Sequence, residues 1–292
     1  MKTPTVDTRF TLGPEITAEQ EAFLDMYGFL HFEAVATADE VEALRAEMGR
    51  LATLHNEQRT TKVNGIPVFY GRGPGGRRFV HRMPFTSTFS STIREFVTDD
   101  RLDPVRRLVG DDARVGESEK DGVVMNRYVN TRGSAYPRLG WHTDGLRDLF
   151  YGRMPQQMLN IGLHLDEITP DDGGLRLIPG THKQGFLSML LRKPHFVGHK
   201  PDRYEICVAT KPGDLTIHDG RLWHRVARSS KKGEASLRRT LFVPFLTGPY
   251  EPKSSDSPTP GYHRWGRKLR RIGYWASARP WDYLPRRNRD SH

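Results

Sequence analysis

Apolar residues recur along this chain with two different periods, and the change of period divides it. Near the N-terminus the spacing is helical: Val41, Leu44, Met48 and Leu51 form one stripe, and Ala22, Phe23 and Met26 share a face in a shorter segment. Each segment opens on a threonine followed three positions later by an amide or acid, Thr17 with Gln20 and Thr37 with Glu40. That is the pattern of a capping box, so two helices are predicted, with "GFLHFEAV" between them as a short strand. Next, "TTKVNGIPVFYG" predicts a hairpin, because Asn64-Gly65 suits a type I′ turn between two β-prone runs. From about residue 121 short apolar runs alternate with Gly, Pro and Asp turns: "GVVMNRYVN", "QMLNIGLHL", "GLRLIPG", "YEICVAT", "DLTIHD" and "RRTLFVPFL". This pattern predicts a mainly β fold with flanking helices, of sandwich or jelly-roll type, rather than βαβ units.

Length is compatible with one elaborated domain over 1–292. The expected layout is N-terminal helices, hairpin and a basic loop over 1–120, a jelly-roll core over 121–247, and a basic aromatic extension over 248–292. Cys207 is the single cysteine, which excludes a disulfide framework and a cysteine-based zinc cluster. "MKTPTVDTRF" has no apolar signal stretch and no segment reaches membrane-spanning length, so a cytoplasmic protein with no membrane partner is expected. The net charge of +10 points to anionic partners. Part of the excess sits in the C-terminal tail, and part in "GRGPGGRRF", which lacks a P-loop ending and reads as a mobile basic loop carrying Arg72, Arg77 and Arg78.

Four of the twelve histidines carry an acid two positions on: His31/Glu33, His55/Glu57, His142/Asp144 and His164/Asp166. On a strand, such a pair shares a face and can reach one ion. A facial triad for non-haem iron needs one further histidine and leaves three coordination positions open. His182, His195, His199, His218 and His224 are the candidates for it. "KPGDLTIHDGRLWHRVA" is the best region, with His224 opening a strand and His218 as its rival.

Taken in order, several segments resemble the phytanoyl-CoA dioxygenase family. "ITAEQEAFLDMYGFLHFEAVATADEVEALRAEM" is similar to its N-terminal helix, strand and helix, and "WHTDG" to its first metal motif. "LHLDEITPDDGGLRLIPGTHK" is similar to its acidic turn and Pro-Gly-Ser/Thr-His run. "PGDLTIHDGRLWHRVA" is similar to the segment of its distal histidine, and "LRRTLFVPF" to the strand of its 2-oxoglutarate arginine. The resemblance selects His142/Asp144 among the four pairs. It implies Fe(II) held by His142, Asp144 and His224, with 2-oxoglutarate and O2 as co-substrates. Strand parity in "RRTLFVPF" selects Arg238 over Arg239 as the bidentate clamp for the far carboxylate of 2-oxoglutarate. Asn126, Tyr128 and Asn160 fall on strands bordering the metal, and Asn160 matches a position near the co-substrate pocket. Gly162 stands where the family often has tryptophan, which implies a wider or reshaped pocket.

The implied activity is hydroxylation of an anionic small molecule such as a carboxylate, phosphonate or CoA thioester. Desaturation, cyclisation and demethylation need the same ligands. Related halogenases replace the acid of the metal motif with a small residue, so Asp144 argues against halogenation. The complete His, Asp, His and Arg set argues against a barrel that has lost catalysis. An alternative of another class is a nucleic-acid-binding protein acting through the Arg/aromatic tail. The preferred reading of that tail is packing across the barrel, or a homo-oligomer contact, through Trp265, Trp275 and Trp281.

Overall fold

The computed structural model describes residues 5–145, 158–196 and 198–261, with 149, 152, 154 and 155 between them. Both capping boxes are formed. In helix α1 (Ala18–Tyr27), Thr17 Oγ1 accepts from the Gln20 backbone N–H, and Gln20 Oε1 accepts from that of Thr17. In α2 (Ala38–Glu57), Thr37 and Glu40 do the same. Thr37→Ala leaves orphaned N–H groups at the start of α2, and the expected result is a loss of about 1 kcal/mol in urea unfolding with the metal affinity unchanged. The α2 stripe is buried as its period predicts. The α1 face is different: Ala22 and Met26 are exposed, and Gln20 and Phe23 are the buried residues. Gln20 turns inward because its amide both caps the helix and donates to the Thr11 carbonyl.

The described strands are β1 (Phe29–Phe32), β2 (Lys62–Val63), β3 (Ile66–Pro67), β4 (Phe69–Arg72), β5 (Arg78–Met83), β6 (Arg114–Val115) and β7 (Val124–Tyr128). They continue as β8 (Leu139–His142), β9 (Leu159–His164), β10 (Gly174–Leu177), β11 (Ile206–Cys207), β12 (Leu215–Asp219), β13 (His224–Ala227) and β14 (Arg238–Leu246). The larger sheet runs β1-β12-β9-β14-β7-β5-β4, with β6 also paired to β14; the smaller runs β11-β10-β13-β8. Neighbouring strands in both sheets are antiparallel. The β2–β3 hairpin turns on Asn64 and Gly65, both at positive φ as a type I′ turn requires.

Alternation gives the larger sheet two different faces. Leu159, Ile161 and Leu163 of β9 and Leu241, Val243 and Phe245 of β14 join the apolar face of α2 in one core cluster. The intervening residues, Asn160, Gly162 and His164 on β9 and Arg238, Thr240 and Phe242 on β14, point the other way. That opposite face carries the polar chemistry. Among the described residues no helix is long and apolar enough to cross a membrane. Trp265, Trp275 and Trp281 lie outside the described residues.

Candidate metal centre

Three of the four histidine–acid pairs are committed elsewhere. His31 Nε2 faces Asp214 Oδ2 at 3.0 Å, while Glu33 pairs with Arg9. His55 is buried in the last turn of α2 with its ring edge against Phe89. His164 Nε2 lies 2.9 Å from Thr216 Oγ1, and Asp166 forms ion pairs with Arg239 and Arg45. His142/Asp144 is the pair that meets a third ligand: one donor atom each from His142, Asp144 and His224 lie within 4.8 Å of one another.

The smaller sheet builds this cluster. His142 is the last residue of β8 and His224 the first of β13, and the two are register partners. Asp144 is in the turn after β8, not on the strand itself, and its backbone N–H donates to the Gly220 carbonyl at 2.8 Å. His142 Nδ1 is 2.8 Å from the Gly140 carbonyl and His224 Nδ1 is 3.0 Å from that of Leu222. A carbonyl can only accept, so Nδ1 carries the proton in each ring and Nε2 keeps its lone pair for an ion. Those Nε2 atoms stand 4.0 and 3.7 Å from Asp144 Oδ1. Phe196 stacks on the His142 ring at 4.8 Å. Gly140 permits this approach, since a Cβ there would come within 2.4 Å of the Phe196 carbonyl oxygen.

Burial sets the electrostatics. It pushes the pKa of both imidazoles down, His224 well below the ordinary value, which keeps them neutral ligands at physiological pH. Burial opposes ionisation of Asp144, but His224, His218 and His142 together outweigh it and hold the carboxyl far below its usual range. Two neutral imidazoles with one carboxylate are a donor set suited to Fe(II).

His218 is not one of the three converging donors, but its Nε2 lies 3.4 Å from Asp144 Oδ2. The remaining candidates are held elsewhere. His182 Nε2 bonds the Asp25 carbonyl and His195 Nε2 that of Met189, while the His199 carbonyl accepts from Arg225.

Parity separates the two arginines of β14. Arg239 is spent on Asp166, with Nε 2.9 Å from Oδ2. Arg238 is 3% exposed, donates to the carbonyls of Ala227 and Pro137, and leaves Nε without a partner. Among the described residues it forms no ion pair, and burial lowers its pKa to about 10. Its neighbours Thr240 and Asn126 are register partners on β14 and β7, and Thr240 Oγ1 and Asn126 Oδ1 also lack partners. The Thr240 hydroxyl and the Arg238 Nε–H can both donate to an anion, whereas Asn126 Oδ1 can only accept. Tyr128 lies beside the same guanidinium, 5.5 Å from ring centre to Cζ. Asn160 is brought to the same cluster, where its amide donates to Asp144 Oδ2 at 3.2 Å. Thr240 was missed in the sequence, although the same two-residue step from Arg238 could have found it.

Gly162 makes room for an aromatic ring from the neighbouring strand. A Cβ at this position would meet Phe242 Cε1 at 2.8 Å, because the ring of its register partner lies over it. Arg72 and Arg78 are tied to their own hairpin, Arg72 to the Gly76 carbonyl and Arg78 over the Tyr70 ring at 3.9 Å. A cavity of about 330 Å³ is bordered by Arg78, Phe69, Tyr70 and Tyr136. None of the three metal-cluster residues lines it.

The chain matches the family model described as phytanoyl-CoA dioxygenase (PhyH) over residues 24–232, a span that includes the metal cluster and ends before Arg238. It is 24% identical over 250 residues to the ectoine dioxygenase of Sphingopyxis alaskensis, covering 76% of this chain and 74% of that one. Among solved structures it is similar to EctD from S. alaskensis with 2-oxoglutarate and 5-hydroxyectoine. There the TM-score is 0.59 and identity 20%, covering 85% of this chain and 83% of that one. It is also similar to the non-haem α-ketoglutarate-dependent epimerase SnoN from nogalamycin biosynthesis. The TM-score is 0.55 and identity 20%, with 81% and 85% covered. The extent of the family match, together with the triad it encloses, places this chain in the phytanoyl-CoA dioxygenase family of iron- and 2-oxoglutarate-dependent oxygenases.

Proposed function

We propose that this protein uses Fe(II), 2-oxoglutarate and O2 to hydroxylate a small anionic metabolite, releasing succinate and CO2. The observation that carries the reading is the convergence of His142, Asp144 and His224, with an unpaired buried Arg238 in the same protein. When bound, Fe(II) and 2-oxoglutarate supply the activation of O2 that oxidises a C–H bond. The chain supplies the rest. His142, Asp144 and His224 hold one face of the ion, and the carbonyls of Gly140 and Leu222 fix the imidazole rings. Arg238 clamps the far carboxylate of 2-oxoglutarate, with the Thr240 hydroxyl and the Asn126 amide N–H as further donors. Phe196 packs against His142 and helps keep water from that side.

A carboxylate at position 144 supports hydroxylation over halogenation. The same residues serve desaturation, cyclisation or demethylation, and product analysis separates these outcomes. An anionic substrate is supported by the net charge of +10. The two antiparallel sheets contributing to the site support a double-stranded β-helix within one domain spanning 1–292. The nucleic-acid reading rests on a tail outside the described residues and draws no support from the relatives.

Purified protein loaded with Fe(II) is to be screened with 2-oxoglutarate against a metabolite library. The expected result is succinate formed one-to-one with an oxygenated acid. Failure to bind Fe(II) and 2-oxoglutarate, together with absence of succinate, overturns the assignment.

A further inference from the structure

The larger sheet sends two side chains toward Asp144 from neighbouring strands. Asn160 on β9 and His218 on β12 are register partners. Asn160 Nδ2 is 3.2 Å from Asp144 Oδ2 and His218 Nε2 is 3.4 Å from the same oxygen. The other oxygen, Oδ1, is the one facing the Nε2 atoms of His142 and His224. The carboxylate is therefore divided, with one oxygen toward the metal position and the other toward two nitrogen donors.

His218 has no other evident task. It is 1% exposed, its Nδ1 has no partner, and the contact of its Nε2 is the one to Asp144. Its ring lies 4.4 Å from that of His224, yet it is not one of the converging donors that would share an ion. A buried imidazole with one ring nitrogen unpartnered is costly, and such groups in native folds call for an explanation.

We propose that His218 is a positioning residue which, with Asn160, holds Oδ2 of Asp144 and keeps this ligand monodentate. The proposal rests on the reading of His142, Asp144 and His224 as iron ligands. Its consequence is a coordination count. A monodentate acid and two imidazoles leave three positions, enough for a chelating 2-oxo acid and O2. A carboxylate free to swing its second oxygen onto the ion takes one of those positions.

The test uses the full-length protein and two readouts that do not depend on turnover. These are the affinity of the apoprotein for Mn(II), and the charge-transfer absorption with Fe(II) and 2-oxoglutarate under anaerobic conditions. His218→Phe keeps a ring and removes the donor; His218→Gln keeps an N–H. The expected result for His218→Phe is ~10-fold weaker metal binding and a shifted or flattened absorption, with His218→Gln recovering to within ~3-fold of wild type. Asn160→Ala is expected to show the same kind of loss. Wild-type affinity and absorption in His218→Phe overturn the proposal, as does a His218→Gln variant no better than His218→Phe. If His218→Phe does not fold, Asn160→Ala decides: unchanged affinity and absorption overturn the proposal. Failure of the wild type to bind Mn(II) or Fe(II) strikes the ligand assignment itself and is a separate outcome.

Discussion

His142→Ala and Asp144→Ala each abolish the charge-transfer absorption that wild type develops with Fe(II) and 2-oxoglutarate, and each loses succinate formation. Changing an outer partner of a metal ligand already weakens binding by ~10–100-fold, so removing a ligand is expected to cost ~100-fold or more. The loss is specific to this pair. The same change at His31 or His164 removes a contact to Asp214 or Thr216 and leaves the three converging donors in place. Those variants are expected to unfold more easily while keeping the absorption once folded. Undiminished Fe(II) binding by Asp144→Ala would place the ion elsewhere.

Arg238 carries the second large effect. Its guanidinium is buried, its Nε has no partner, and among the described residues no acid forms an ion pair with it, Asp172 acting on it only at a distance. Truncating one partner of a buried charge pair costs ~2–5 kcal/mol. Arg238→Gln is therefore expected to raise the KM for 2-oxoglutarate by ~30-fold or more while leaving Mn(II) affinity near wild type. Arg238→Lys does not rescue it, since a point charge cannot reproduce the two-pronged fork. Arg239→Gln is the contrasting control. It breaks the pair with Asp166 and is expected to lower stability with the KM for 2-oxoglutarate unchanged. A KM that moves with Arg239 and not with Arg238 would reverse the assignment of the two arginines.

Local chemistry made much of the fold legible. The threonine caps of α1 and α2, the Asn64-Gly65 turn and the period-two runs after residue 121 each specify their element within a few residues. The inward face of α1 was misread because Gln20 is buried through its cap and its bond to Thr11, which counting apolar positions ignores. Spacing could not choose among four histidine–acid pairs, since i and i+2 share a strand face whether or not a third ligand arrives. The ordered family motifs made that choice, and the structure brings His224 to the selected pair. Contacts between the sheets were beyond reach. Nothing in the chain order says that Asn160 and His218 meet the same oxygen of Asp144, or that Phe242 fills the space above Gly162.

That last exchange ties two properties to one strand. The ring covering Gly162 belongs to Phe242, four residues along β14 from Arg238 and on the same face. One strand thus bears the buried Arg238 cation and the ring that covers Gly162. A one-residue slip of β14 would turn both away together and present Arg239 and Val243 in their stead. The direction of the Arg238 side chain and the cover over Gly162 therefore depend on a single register. A change at position 242 leaves Arg238 in place only as far as the pairing of β14 with β9 and β7 stays in register.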